Sequence, residues 1–199
     1  MFKRVIFSLL VLMVSLSAEE VLELNINNED IEFRVAHELQ MGQTDDSRFY
    51  MGAFFMNSND KNKGYANLDD DKLYGAEFFL KNRVMNDHFG LHAKLGIKAI
   101  AHSHTNDDFL AVPLGGGLDL KMQFENFPPV TIGAEYYYAP KVLTFMDSTE
   151  YTEFRLQWKV EIVKNGELMI GYRGIGTDYS NFDLTYNSSL YAGIILHID

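Results

Sequence analysis

The side chains that could do chemistry in this chain fall into three groups. In the first, His102-Ser103-His104 sets two imidazoles and a hydroxyl side by side, with Asp107 and Asp108 close behind. A hydrolase would use such a set as base, nucleophile and orienting acid, and a metal would take the two imidazoles if a carboxylate supplied a third ligand. Asp107 or Asp108 could approach as that ligand, but the tripeptide reads as a polar loop where a strand leaves the membrane. In the second, Asp69-Asp70-Asp71 clusters carboxylates of the kind hard cations take. No calcium-loop spacing accompanies them, and the tract reads as a solvated acidic loop that holds divalent ions weakly. His92 and His197 read as interior or interface residues rather than ligands. No cofactor is called for, and the absence of Cys removes thiolate chemistry and disulfides together.

The third group is larger and recurs at a spacing of two. Lys94 and Lys98, Asp119 and Lys121, Glu135, then Glu153, Arg155, Lys159 and Glu161, and finally Arg173 alternate with apolar or small neighbours. Period two is the mark of a strand, whose side chains point to opposite faces in turn. The clearest case begins at Phe89: Phe89, Leu91, Ala93, Leu95, Ile97 and Ala99 share one face, while Gly90, His92, Lys94, Gly96 and Lys98 share the other. In 152–162 the same holds for Phe154, Leu156, Trp158, Val160 and Ile162 against Glu153, Arg155, Gln157, Lys159 and Glu161.

Ten such segments are predicted, at 21–27, 30–39, 48–57, 72–83, 89–102, 109–124, 130–139, 148–163, 167–177 and 188–198. Several reach the roughly 9 to 11 residues that a tilted strand needs to cross a bilayer. The fold expected is therefore all-β, a transmembrane antiparallel up-and-down β-barrel of about ten strands, with eight as the alternative. The segment 48–57 departs from the pattern, being apolar on both faces through Tyr50, Phe54, Phe55 and Met56. Bacterial barrels have short periplasmic turns and longer external loops. Counting back from the C-terminus makes 178–187, 140–147, 103–108 and 58–71 external, and 164–166, 126–129 and 84–88 periplasmic.

Alternation alone does not say which face is inside, since a soluble barrel turns its apolar face inward. The polar face decides. It carries Arg34, Lys81, Lys94, Lys98, Lys121, Arg155, Lys159 and Arg173 against Glu32, Glu38, Glu77, Asp119, Glu135, Glu153 and Glu161. Charges enclosed in a narrow lumen must pair, and this near-balance permits pairing. Gly96, Gly115, Gly117, Gly133, Gly171 and Gly193 would leave room for the long side chains opposite them. On this reading a charge at Leu95 faces lipid and is costly, whereas Gly96 faces the lumen and tolerates Ser. Tyr136, Tyr138, Trp158, Phe124 and Phe89 form an aromatic belt, with rings in lipid and polar edges among headgroups.

Residues 1–18 read as a cleaved secretory signal: Lys3 and Arg4, then an apolar run from Val5 to Leu16, then small residues at Ser17 and Ala18. The run ends at Glu19-Glu20 and is too short for a membrane helix. Residues 19–199 then form one barrel domain, in the outer membrane of a Gram-negative bacterium. With such a leader, the Asn187-Ser188-Ser189 glycosylation pattern reads as chance. The formal charge is −11, and it falls to about −13 once Lys3 and Arg4 are removed, so a nucleic-acid partner is disfavoured. The partners implied are outer-membrane lipids, lipopolysaccharide and the outer-membrane assembly machinery, with no protein partner named.

The chain also resembles the YfaZ family of outer-membrane barrels. The resemblance rests on Gly115-Gly116-Gly117-Leu118, Glu135-Tyr136-Tyr137-Tyr138-Ala139-Pro140, Tyr151-Thr152-Glu153, Gly171-Tyr172-Arg173 and Tyr191-Ala192-Gly193. It implies a location and a barrel, and no reaction. One departure is the C-terminus, Leu196-His197-Ile198-Asp199, where outer-membrane barrels usually end in an aromatic residue. Three functions follow as expectations: a non-enzymatic barrel with a largely plugged, charged lumen; alternatively a narrow channel for small solutes or ions; or a hydrolase, with His102-Ser103-His104 as its only candidate set.

Overall fold

The alternating segments become strands that each pair with their neighbours in sequence. The computed structural model describes residues 19–28, 30–44, 46–58, 71–86, 89–102, 108–179 and 183–198. Ten long strands form the wall: β1 (Glu20–Ile26), β2 (Asp30–Thr44), β3 (Ser47–Ser58), β4 (Asp71–Asn86), β5 (Phe89–His102), β7 (Leu114–Phe124), β8 (Phe127–Ala139), β10 (Ser148–Val163), β11 (Gly166–Tyr179) and β12 (Asp183–Ile198). Two short strands, β6 (Phe109–Ala111) and β9 (Thr144–Met146), lie on the loop side. Every long pairing is antiparallel, and the β12–β1 and β4–β5 pairings close the sheet on itself. This is a closed up-and-down barrel of ten strands, and closure removes the unpaired sheet edges that a bilayer would not tolerate. The leader, Asp69, Asp70 and residues 103–107 lie outside the described residues.

Strand pairing fixes how far the sheet is sheared as it closes. Tracing paired residues from Gly90 through Lys121, Thr131, Lys159, Met169, Gly193, Asn25, Glu32, Met56 and Leu73 returns to β5 at His102, twelve residues along from the start. Ten strands with that stagger tilt by about 40° and enclose a backbone cylinder of about 10 Å radius. The interior is wide enough for long side chains to meet across it. Leu95, Leu118, Ile170 and Leu190 are exposed on the outside, whereas Glu32, Arg155 and Arg173 are fully buried within. The charged face is the inner one.

Three expectations about the strands are corrected. The predicted strand 109–124 is broken at Val112 and Pro113 into β6 and β7. Pro113 has no N–H to give a ladder, and its carbonyl instead accepts the Lys98 amide at 3.0 Å. Beyond the break β6 pairs with the end of β5 on one side and with β9 on the other, making a lip at the loop end. The turn expected at 126–129 shortens to Glu125-Asn126, because Pro128 and Pro129 start β8 beside a register shift opposite Met122 and Phe124. The long loop expected at 178–187 is mostly strand: β11 runs to Tyr179 and β12 begins at Asp183, with Thr177 opposite Leu184 and Asp178 opposite Asp183, while residues 180–182 lie outside the described residues.

Candidate functional site

The interior is organised in layers, and its centre is built on Glu32. This carboxylate enters from β2 and is completely buried. Arg155 of β10 donates to it through Nη1 and Nη2 at 2.9 and 2.6 Å, Arg173 of β11 donates through Nη1, and Asn25 of β1 donates at 2.9 Å. Arg155 and Arg173 are directly opposite each other on adjacent strands, so two like charges sit side by side. A carboxylate from across the lumen makes that placement tolerable. Arg173 also reaches Asp30, to which Asn187 donates as well. Arg155 Nε and Lys98 Nζ share Glu153 at 2.7 and 2.8 Å, and Lys98 stands 3.9 Å from the centre of the Tyr137 ring. Arg34 chelates Glu77 with both contacts at 2.9 Å.

Towards the loop end the lumen turns aromatic. Phe54, Met56, Leu73, Ile100, Phe109 and Tyr151 are buried together with Ile175, Tyr179 and Tyr186. His102 stacks on Phe109 with ring centres 5.6 Å apart and meets Tyr186 at 4.9 Å. Phe109, carried by the lip strand β6, packs against Tyr151 and Tyr186 at 6.0 and 5.5 Å. The Tyr179 and Tyr186 hydroxyls are 2.8 Å apart. Tyr151 joins this plug to the charged layer by donating to Glu153 at 3.1 Å.

Towards the end that carries the chain termini the lumen opens into a vestibule of about 300 Å³. Arg34, Glu77, Glu135 and Gln157 line its inner end. Lys94 bonds Glu135 at 3.1 Å and lies 4.0 Å over the Phe79 ring. Lys81 and Lys159 share Asp119 at 3.3 and 3.7 Å. At the rim, Lys121 bonds Glu161 at 3.2 Å, and His197 bridges Glu19 and Glu167 at 2.8 and 3.2 Å. That contact holds the Glu19 carboxyl below its ordinary range.

The structure thus brings the predicted lumen residues into one interior, with Lys98, Glu153, Arg155 and Arg173 in the central layer. Lys94, Lys121, Glu135, Lys159 and Glu161 group with Asp119 nearer the rim. Tyr136, Tyr138, Trp158 and Phe124 face outward and are exposed, and Tyr138 Oη donates to Glu150 at 3.1 Å. The Phe89 side chain lies outside the described residues. His102 is a correction: it points into the aromatic plug rather than a polar loop, because β5 runs inward-facing to its last residue. The glycine expectation also changes. Gly117 and Gly133 do accommodate Glu135 and Asp119, but a Cβ at Gly96 would meet Phe79 at 2.8 Å and the Phe78 carbonyl at 2.9 Å. Gly96→Ser is therefore expected to force Phe79 or the Phe78 backbone to shift. Sequence reasoning placed Glu32 on the polar face without assigning it the centre, and it missed Asp30, Asn25 and Asn187. A buried polar interior needs such neutral amides to complete it.

Chemically, this interior fixes paired charges beneath an aromatic layer. Among the described residues no cluster of three or more His, Asp or Glu could hold a metal ion. A family model described as YfaZ precursor matches residues 2–197 of the sequence. None of the curated proteins compared matches it. Among solved structures, outer membrane phospholipase A from Escherichia coli is similar at 9% identity and TM-score 0.43, over 90% of this chain and 95% of that one. Outer membrane protease OmpT from Escherichia coli is similar at 6% identity and TM-score 0.46, over 90% of both chains. A KdgM porin is similar at 8% identity and TM-score 0.41, over 91% of this chain and 99% of that one. Two enzymes and a porin stand side by side at these identities, so the likeness carries no activity across.

Proposed function

The chain belongs to the YfaZ precursor family, and from that premise and its filled lumen we propose that it is a non-enzymatic outer-membrane barrel that passes no solutes. The observation that carries the reading is the crossing of the lumen by Glu32, held by Arg155 and Arg173 from the opposite wall. Opening a path there means separating fully buried ions, at several kcal/mol for each, and then displacing the plug around Phe109. An outer-membrane location is supported by the apolar outer face and by the leader, with the terminus end towards the periplasm and the lip outside. The non-enzymatic reading is supported by the burial of His102 among Phe109 and Tyr186. Recording from purified protein in planar bilayers tests the closed lumen. The expected result is no stable conductance, and a steady, sizeable conductance would replace this reading with the narrow channel. Fractionation and carbonate extraction test the location, and recovery in the soluble fraction would overturn it.

A further inference from the structure

The vestibule has two walls of opposite electrical character. On one, Lys81 of β4 and Lys159 of β10 both lean on the single carboxylate of Asp119 on β7. Asp119 is the one carboxylate within 4 Å of either ammonium among the described residues, with Glu135 and Glu167 farther off, and His92 stands beside them on the same cavity surface. The opposite wall belongs to β1, which lies five strands from β7 whichever way the barrel is followed. There Glu23 lines the vestibule and accepts one hydrogen bond, from Asn25 at 2.6 Å; Arg34 and Lys159 lie within its electrostatic reach, but no cation among the described residues pairs with it within 4 Å. Between the walls, Tyr50 and Phe79 stack at 5.0 Å, with Lys94 over the Phe79 ring, so the pair offers ring edges rather than an open face. At the inner end one Glu135 carboxylate oxygen is buried without a hydrogen-bond partner.

We propose that the vestibule is a binding site for a small zwitterion carrying a carboxylate at one end and an ammonium at the other. Lys81 and Lys159 hold the carboxylate, relieving the two-to-one sharing of Asp119. Glu23 takes the ammonium across the cavity. The flank formed by Tyr50 and Phe79 covers the body of the ligand. A cavity of about 300 Å³ is at the lower end for small-molecule sites, so the ligand is of amino-acid or dipeptide size, and oligomers are excluded. The site has one mouth, at the terminus end, because the layer around Glu32 closes the other. A singly charged solute satisfies one wall and leaves the other as it was, which makes the site selective for both charges at once.

The test is calorimetric titration of the folded barrel in detergent with glycylglycine, acetate and ethylammonium. Glycylglycine is expected to bind at least tenfold more tightly than either singly charged probe. Lys159→Met and Glu23→Gln should each weaken it at least tenfold, with folding verified by the mobility of unboiled samples. If Lys159→Met fails to fold, Lys81→Met replaces it and should show the same loss. Acetate binding as tightly as glycylglycine would overturn the proposal, as would no binding of any probe, or folded variants with parental affinity. These outcomes are separate from conduction, since a barrel can be non-conducting and still leave its vestibule without a ligand.

Discussion

Glu32 accepts from Arg155, Arg173 and Asn25 at once and is fully buried. Removing Arg155 takes one charged donor from Glu32 and one from Glu153, leaving them Arg173 and Lys98. Arg155→Ala is therefore expected to lower stability by about 3 to 5 kcal/mol, the cost of breaking a buried pair by deleting one partner. Lys121→Ala removes a pair whose members are 43% and 29% exposed and should cost less than about 1 kcal/mol. Urea unfolding of the two variants in lipid vesicles measures both, and equal losses would refute the distinction between layer and rim. Half of this was legible beforehand. Spacing put Glu32 and Arg155 on the lumen face of their strands, and charge balance required lumen charges to pair, but the partners expected for Arg155 were Glu135, Glu153, Glu161 and Asp119, of which it meets Glu153. What spacing could not give was their common height in the barrel, since the two residues are 123 apart in sequence and meet only after closure.

Along β5 the two faces have different tolerances, and the reason differs at each position. Leu95 is 67% exposed on the outside, so Leu95→Arg should cost about 2 to 4 kcal/mol near the bilayer midplane. Gly96 faces inward but is hemmed in by Phe79 and the Phe78 carbonyl, whereas a Cβ at Gly90 would meet nothing closer than 3.5 Å. Leu95→Arg and Gly96→Ser are both expected to impair assembly while Gly90→Ser folds normally, as read from the gel mobility of unboiled samples. An unfolded Gly90→Ser would show that lumen space near the rim has been misjudged. Strand β3, which pairs with β2 and β4, shows why alternation was incomplete as a guide. Tyr50, Phe54 and Met56 are apolar yet point inward, because part of the lumen is filled by rings and not by ion pairs. Likewise Pro113 marked the break between β6 and β7, but nothing local said that β6 would fold back as a lip on β9.

At the scale of the whole barrel, two barriers lie in series, the aromatic plug and the layer centred on Glu32. Phe109→Ala with Tyr186→Ala thins the plug and leaves the layer in place, so that variant should stay silent in planar bilayers. Adding Glu32→Ala removes the second barrier, and openings are expected only then. Conductance from the plug variant alone would show that the charged layer does not seal. The overall type, a closed antiparallel barrel with its charges inside, was readable from period two and loop lengths. The shear of twelve residues was not, because it is a property of the closed circuit and is written in no single strand. That circuit leaves a pocket open at one end and shut at the other, with an electrical consequence. Solvent that enters from the terminus side carries that side's potential deep into the protein. The remaining insulating span, the aromatic plug together with the layer of Glu32, Arg155 and Arg173, is then thinner than the membrane around it, and a voltage between the two sides would fall across both. At about 2.3 kcal/mol per elementary charge per 100 mV, the buried ions would stand within that field.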